Sequence, residues 1–121
     1  MELEVIETEL AICKLKNLEN IDTIGEFYFL SKTDEEISLV CPASSAPADA
    51  IEKSVGWRAF RICGTLDFSL VGILSKITGI LATEGIGIFA VSTFNTDYVL
   101  VKEQHLKRAI ESLSDNGYRF V

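Results

Sequence analysis

The sequence is short of histidine, cysteine, proline and positive charge, and most of these shortages remove a class of function. Its one histidine, His105, sits in the helical pattern KEQHLKRAI and reads as a solvated helix residue. With no second histidine, a Ser/His/Asp or Cys/His catalytic set has little support. The three cysteines, Cys13, Cys41 and Cys63, are an odd number in the apolar runs AICKL, SLVCP and FRICG. They read as buried, inert thiols, and no two lie close enough in sequence to form the ligand pairs of a zinc site. No metal and no cofactor is expected. Lysine and arginine number 11 against 18 acids, a net charge of −7. Such a surface repels phosphate backbones, which argues against a nucleic-acid partner. No run approaches the roughly 18 apolar residues of a membrane-spanning helix. The start MELEVIETEL carries glutamates where a secretory leader needs a basic end. The expectation is a cytoplasmic protein with no membrane partner.

What the sequence does have is apolar content, 48% of 121 residues, enough for a packed core in one domain or two very small ones. It also has an internal repeat. Displaced by 61 residues, Ser31 falls on Ser92, Leu39 and Val40 fall on Leu100 and Val101, and Gly56-Trp57-Arg58 falls on Gly117-Tyr118-Arg119. Displaced by 50, Ile12 and Cys13 fall on Ile62 and Cys63. The two offsets differ by 11, so the first half is shorter between its first and second strands.

The second half is the easier to read. WRAFRICG, residues 57–64, is a strand rich in aromatic and apolar residues. Leu70, Ile73, Leu74, Ile77, Ile80 and Leu81 follow the three-and-four spacing of an amphipathic helix, which Asp67 or Ser69 can cap and Gly85 can end. IGIFAVSTF and DYVLVK make a hairpin about Asn95-Thr96. Residues 103–116 form a second helix with Leu106, Ala109, Ile110 and Leu113 on one face, Gly117 ends it, and YRFV is a last strand. The order strand, helix, strand, strand, helix, strand is the ferredoxin-like unit. In the first half TELAICKL is the first strand and KNLENIDT replaces the long helix. GEFYFLSK and EISLVCP form the hairpin, and Ser44 or Ser45 caps a short helix with Pro47 in its first turn. The expected fold class is α+β: two tandem ferredoxin-like (βαββαβ) units, residues 1–56 degenerate and lacking the long first helix, residues 57–121 complete.

One face of such a sheet is covered by helices, and the other is polar if it meets water. Here IGIFAV is apolar on both faces, with Ile86, Ile88 and Ala90 pointing one way and Phe89 and Val91 the other; EFYFL repeats this. Exposing such rows creates an apolar patch of the kind that marks an interface, so a homodimer is expected.

The segment LDFSLVGILSKITGILATEGIGIFAVSTFNTDYVLVKEQHLKRAIESL, Leu66 to Leu113, resembles an ACT domain, the small ligand-binding module attached to many enzymes of amino-acid metabolism. STFNTDYVLV followed by an amphipathic helix is its most distinctive part. Within that family it is similar to bacterial stand-alone paired ACT proteins and to the ACT domains of CASTOR, the animal cytosolic arginine sensor. The resemblance implies a non-catalytic regulatory protein that binds a free amino acid at an interface between two ACT units. It puts the site at the start of the first helix, where Asp67 and Gly72 match the family's acidic residue and glycine. The ligand-binding set is then Asp67, Phe68, Ser69, Leu70, Val71, Gly72, Ile73, Ser92 and Thr93. A helix start offers unpaired N–H groups and a partial positive charge to a carboxylate, and Asp67 can hold an ammonium group. Each assignment has a structural rival: Asp67 as a helix cap, Gly72 as a packing residue, Ser92 and Thr93 as strand-end residues bonding backbone. Asn95 to Asp97 are left to the turn. The alternative function is a ligand-free dimerisation or protein-interaction module. An acylphosphatase-like enzyme on this fold needs an arginine in the first loop, and GTLDFSLVG has none. An RNA-recognition module needs basic residues around its aromatics, and FYFL lies among acids.

Overall fold

The computed structural model describes residues 1–121. Its elements follow one another as β1 (Glu2–Leu15), β2 (Phe29–Lys32), β3 (Ile37–Pro42), β4 (Glu52–Ile62), α1 (Ile73–Thr83), β5 (Ile88–Ser92), β6 (Asp97–Lys102), α2 (Leu106–Asp115) and β7 (Arg119–Phe120). The class is α+β. The chain divides into two compact units, one of Met1–Glu7 with Arg58–Val121, the other of Thr8–Trp57. The sequence suggests a division at residue 56; in the structure the first seven residues belong with the C-terminal unit.

In that unit the strands lie in the order β7-β1-β4-β6-β5. A ferredoxin-like unit made from residues 57–121 alone would set its last strand beside its first. Instead β7 pairs in parallel with the start of β1, Glu2 opposite Arg119 and Leu3 opposite Phe120. The reason is burial: Leu3 is fully buried among the residues under the helices, so the N-terminal strand completes the core. That core comprises Leu3, Phe60, Ile62, Ile77, Leu81, Ile86, Val99, Val101, Ala109 and Leu113. Period-two alternation in β4 and β6 and four-residue spacing in α1 and α2 send these side chains to one layer. Each large one contributes roughly 1.5–3 kcal/mol. Gly85, at φ +70°, ends α1 as expected, and the N–H of Ile86 reaches the Leu81 carbonyl at 3.0 Å. The N–H of Tyr118 closes α2 in the same way on Leu113, at 3.1 Å. Before α2, residues Glu103–His105 form a 3₁₀ turn. His105 is half-buried there, not solvated, and its Nδ1 is shielded without a partner.

The N-terminal unit has the strand order β2-β3-β1-β4 and packs Ala11, Cys13, Leu15, Ile24, Leu39 and Cys41 together. It holds no α-helix. A single 3₁₀ turn, Ile21–Thr23, stands in for the long one. The expected short helix at Ser44 or Ser45 is one 3₁₀ turn, Ala43–Ser45. Pro47 explains why it stops: the residue before a proline is driven out of the helical region, and Ala46 is extended at φ −61°, ψ 131°.

The hairpins of the two halves correspond at an offset of 60, not the 61 that the sequence identities suggest. β2 and β3 pair Lys32 with Ile37 and Phe29 with Val40; β5 and β6 pair Ser92 with Asp97 and Phe89 with Leu100. β3 and β6 share one burial pattern position for position. A slip of one residue turns every side chain to the opposite face, so the sequence identities Leu39/Leu100 and Val40/Val101 join residues on opposite faces. The offset of 61 holds only further on, where Gly56 and Gly117 both have positive φ.

Cys13 and Cys41 are buried, while Cys63 is half-exposed. Burial pushes the Cys41 thiol up to about 12, and its neighbour Cys13 adds to the effect; burial raises Cys13 too. Both stay protonated and unreactive at neutral pH. Native protein treated with a thiol reagent should therefore lose one thiol, Cys63, quickly, and the other two only in denaturant; rapid reaction of all three would contradict this packing. No helix is long and apolar enough to cross a membrane.

Candidate functional site

The site starts from a helix that begins later than its apolar pattern. Asp67 does not cap α1. Its Oδ1 accepts the Ser69 N–H at 2.7 Å and its carbonyl accepts the Leu70 N–H at 3.0 Å, so the segment makes a turn of its own. Gly72 then takes the left-handed conformation, φ +80°, which glycine adopts without strain, and is the residue from which α1 departs. The first bond within the helix runs from the Lys76 N–H to the Gly72 carbonyl, 2.9 Å. The N–H groups of Ile73, Leu74 and Ser75 have no intrahelical acceptor. No side chain caps this tip, and no acidic residue stands in its first turn. The positive end of the helix dipole is uncompensated.

Facing it is the turn between β5 and β6. Thr93 organises it: its N–H donates to the Thr96 carbonyl (2.8 Å), its hydroxyl donates to the same carbonyl (2.9 Å), and the Thr96 N–H donates back to Thr93 Oγ1 (3.3 Å). Thr96 is the one buried polar residue of the chain, and its hydroxyl donates to the Ile62 carbonyl at 2.7 Å. The Leu66 N–H donates to the Asn95 carbonyl at 2.7 Å. The turn is thus tied to β4 and to the loop before α1. Phe68 and Phe94, 75% and 79% exposed, meet edge to face at 5.1 Å between ring centres.

Between the two walls lies a cleft of about 340 Å³, within the range of small-molecule sites. Of the residues expected from the sequence, Asp67, Phe68, Leu70, Gly72, Ile73, Ser92 and Thr93 line it. Ser69 does not, its N–H being engaged by Asp67, nor does Val71, which is 89% exposed. Leu66, Leu74, Ser75, Phe94, Asn95, Thr96 and Asp97 also line it. The apolar spacing starts the helix near Asp67, which puts Leu74 and Ser75 past its first turn, whereas α1 begins at Ile73; Asn95 to Asp97 read in sequence as connection only. Two carboxylates, Asp67 and Asp97, and no lysine or arginine face the cleft. The hydrogen bonds from the Ser69 backbone and side chain hold the Asp67 carboxyl below the ordinary aspartate range. Since the folded value is depressed, its contribution to the turn is present above the unfolded value and disappears as pH falls through the folded one. An NMR titration of the Asp67 carboxyl should show a midpoint below that of a free aspartate, and Ser69→Pro, which deletes the N–H, should raise it.

The N-terminal unit repeats the turn, with the Thr33 N–H on the Glu36 carbonyl at 2.9 Å and the Glu36 N–H on Thr33 Oγ1 at 3.2 Å. It has no helix tip to set against it. The cleft is complete only in the C-terminal unit. No group of three or more His, Cys, Asp or Glu side chains is arranged to hold a metal ion.

Among known proteins, the cytosolic arginine sensor for mTORC1 subunit 1 of Homo sapiens is 36% identical over 94 residues, a match covering 72% of this chain and 29% of the sensor. The Rattus norvegicus sensor is 34% identical over the same length. The chain thus spans less than a third of the curated relatives it matches. A crystal structure of an Agrobacterium tumefaciens protein superposes with a TM-score of 0.88 at 30% identity, covering 99% of this chain and 91% of that one. Aspartate kinase of Clostridium acetobutylicum, described as an allosteric enzyme, gives 0.68 at 15% identity over 93% of this chain and 34% of its own, a likeness of fold alone. Residues 53–115, more than half of the chain, match the ACT domain, and the chain belongs to this family of regulatory, non-catalytic domains.

Proposed function

We propose that this chain is a cytoplasmic regulatory protein that binds a free amino acid between the tip of α1 and the Ser92–Asp97 turn. The observation that carries the reading is the uncapped tip of α1 opening on a cleft whose only charged side chains are acids. A zwitterion fits that arrangement: its carboxylate meets the N–H groups of Ile73, Leu74 and Ser75, and its ammonium meets Asp67 or Asp97. Two acids against one ammonium favour a ligand with a second positive charge, and relatives named as arginine sensors support a basic amino acid. Phe68, Leu70 and Phe94, each more than half exposed, line the cleft. A second ACT unit seated on this rim would finish the enclosure, which supports a homodimer. The same rim also suits a module that binds protein and no small molecule.

A thermal-shift screen with the standard amino acids separates the two readings. A ligand at 100 times its dissociation constant adds about 2.7 kcal/mol of stability, so at least one amino acid should raise the melting temperature clearly; no shift with any favours the protein-interaction module. Ser92→Ala should weaken the bound amino acid by about 1 kcal/mol, the usual value of one hydrogen bond. Unchanged affinity in calorimetry would make Ser92 a strand residue only.

A further inference from the structure

A second cleft, of about 360 Å³, shares Thr93, Asn95 and Thr96 with the first and opens around Arg61 and Glu4. The Nε and Nη2 of Arg61 both donate to one oxygen of Glu4, Oε1, at 2.9 and 2.7 Å. A fork-to-fork pair would engage both carboxylate oxygens; here Glu4 Oε2 is left over. Arg61 Nη1 reaches the Tyr98 hydroxyl at 3.5 Å, the far limit of a hydrogen bond. The two side chains are 39% and 42% exposed, where an ion pair adds little to stability. Arg61 and Glu4 both line this polar cleft, with Thr65, so one ion pair offers it a guanidinium whose Nη1 is bonded to Tyr98 only at 3.5 Å and a carboxylate whose Oε2 takes no bond from Arg61.

We infer that this cleft is a second ligand site, which takes a small zwitterion with its carboxylate on Arg61 Nη1 and its ammonium on Glu4 Oε2. A plain anion is repelled by Glu4 and a plain cation by Arg61, so the pair selects a molecule with both charges at close range. Free α-amino acids and dipeptides are that class. The site stands apart from the tip of α1 and does not need the first cleft to be occupied.

Cys63 lines the cleft and is half-exposed, so it reports occupancy in the unaltered chain. The rate of its alkylation by N-ethylmaleimide is measured with each standard amino acid, and with propionate and ethylamine as single-charge probes. At about ten times the dissociation constant, mass action slows the reaction roughly tenfold. The expected result is such protection by at least one amino acid and none by propionate or ethylamine. In the double variant Glu4→Gln/Arg61→Met the protection should vanish while any thermal shift from the first cleft persists, which also shows the fold intact. Should the double variant not fold, Glu4→Gln alone, which keeps the shape, should cut protection at least severalfold. No protection by any amino acid, protection by propionate alone, or protection that survives in a folded variant would overturn the proposal. Protection of Cys63 without any ligand effect at residues 73–75 would leave this site standing and remove the first.

Discussion

Phe60→Ala should destabilise the chain by about 3–5 kcal/mol, the cost of emptying a fully buried phenylalanine site, and lower its melting temperature by roughly 10–20 °C. Phe60 has no exposed surface and meets Phe120 edge to face at 5.7 Å. It sits where β4 is covered by both helices, and Leu3 of β1 and Phe120 of β7 belong to the same packed layer. The cavity cannot close easily, because its walls come from strands fixed by their ladders and from helices packed on them. Ile51→Ala, at a position 52% exposed, is the control and should change stability by no more than about 0.5 kcal/mol. Equal effects of the two would mean that Phe60 is not in the core.

Thr96→Val should cost about 1–3 kcal/mol, more than its loss of one oxygen atom suggests. Valine keeps the shape, so packing is spared, but the Ile62 carbonyl loses the hydroxyl that satisfies it at 2.7 Å. A buried acceptor left without a partner carries its full desolvation penalty. Urea titration should show a lower midpoint with an unchanged slope. On the proposed function, the variant should also bind an amino acid more weakly, because the same bond ties the turn that walls the cleft to β4. Thr96→Ser, which retains the hydroxyl, should recover most of both losses. Removing a hydroxyl from the related turn, in Thr33→Val, should cost less, since that turn is exposed.

The sequence announced the elements whose periodicity is strong. Ile77 and Leu81 of α1, Ala109 and Leu113 of α2, and the whole of β6 lie where spacing puts them. What it concealed depends on distant contacts or on local competition. That Glu2 and Leu3 slot in beside β7 follows from the burial of Leu3 by residues some sixty and more positions away, which no local pattern encodes. The start of α1 was obscured because Leu70 continues the apolar spacing, while Asp67 bonds its own neighbours and Gly72 turns the chain left-handed. The repeat misled by one residue because chance identities lined up better than structural equivalents. Half of the cleft was legible as the loop from Asp67 to Ile73 with Ser92 and Thr93. Leu74 and Ser75 were hidden by the misplaced helix start, and Thr96 by looking like any polar turn residue.

In the proposed function, the bare amides at the start of α1 hold the carboxylate of an amino acid. The most direct measurement is a nitrogen-15 NMR titration of the chain with the amino acid that gives the largest thermal shift, repeated with the amine that lacks its carboxylate. The amide signals of Ile73, Leu74 and Ser75 should move with the amino acid and stay in place with the amine. Still signals at these three residues while the amino acid binds, or equal movement with the amine, would contradict the proposed function.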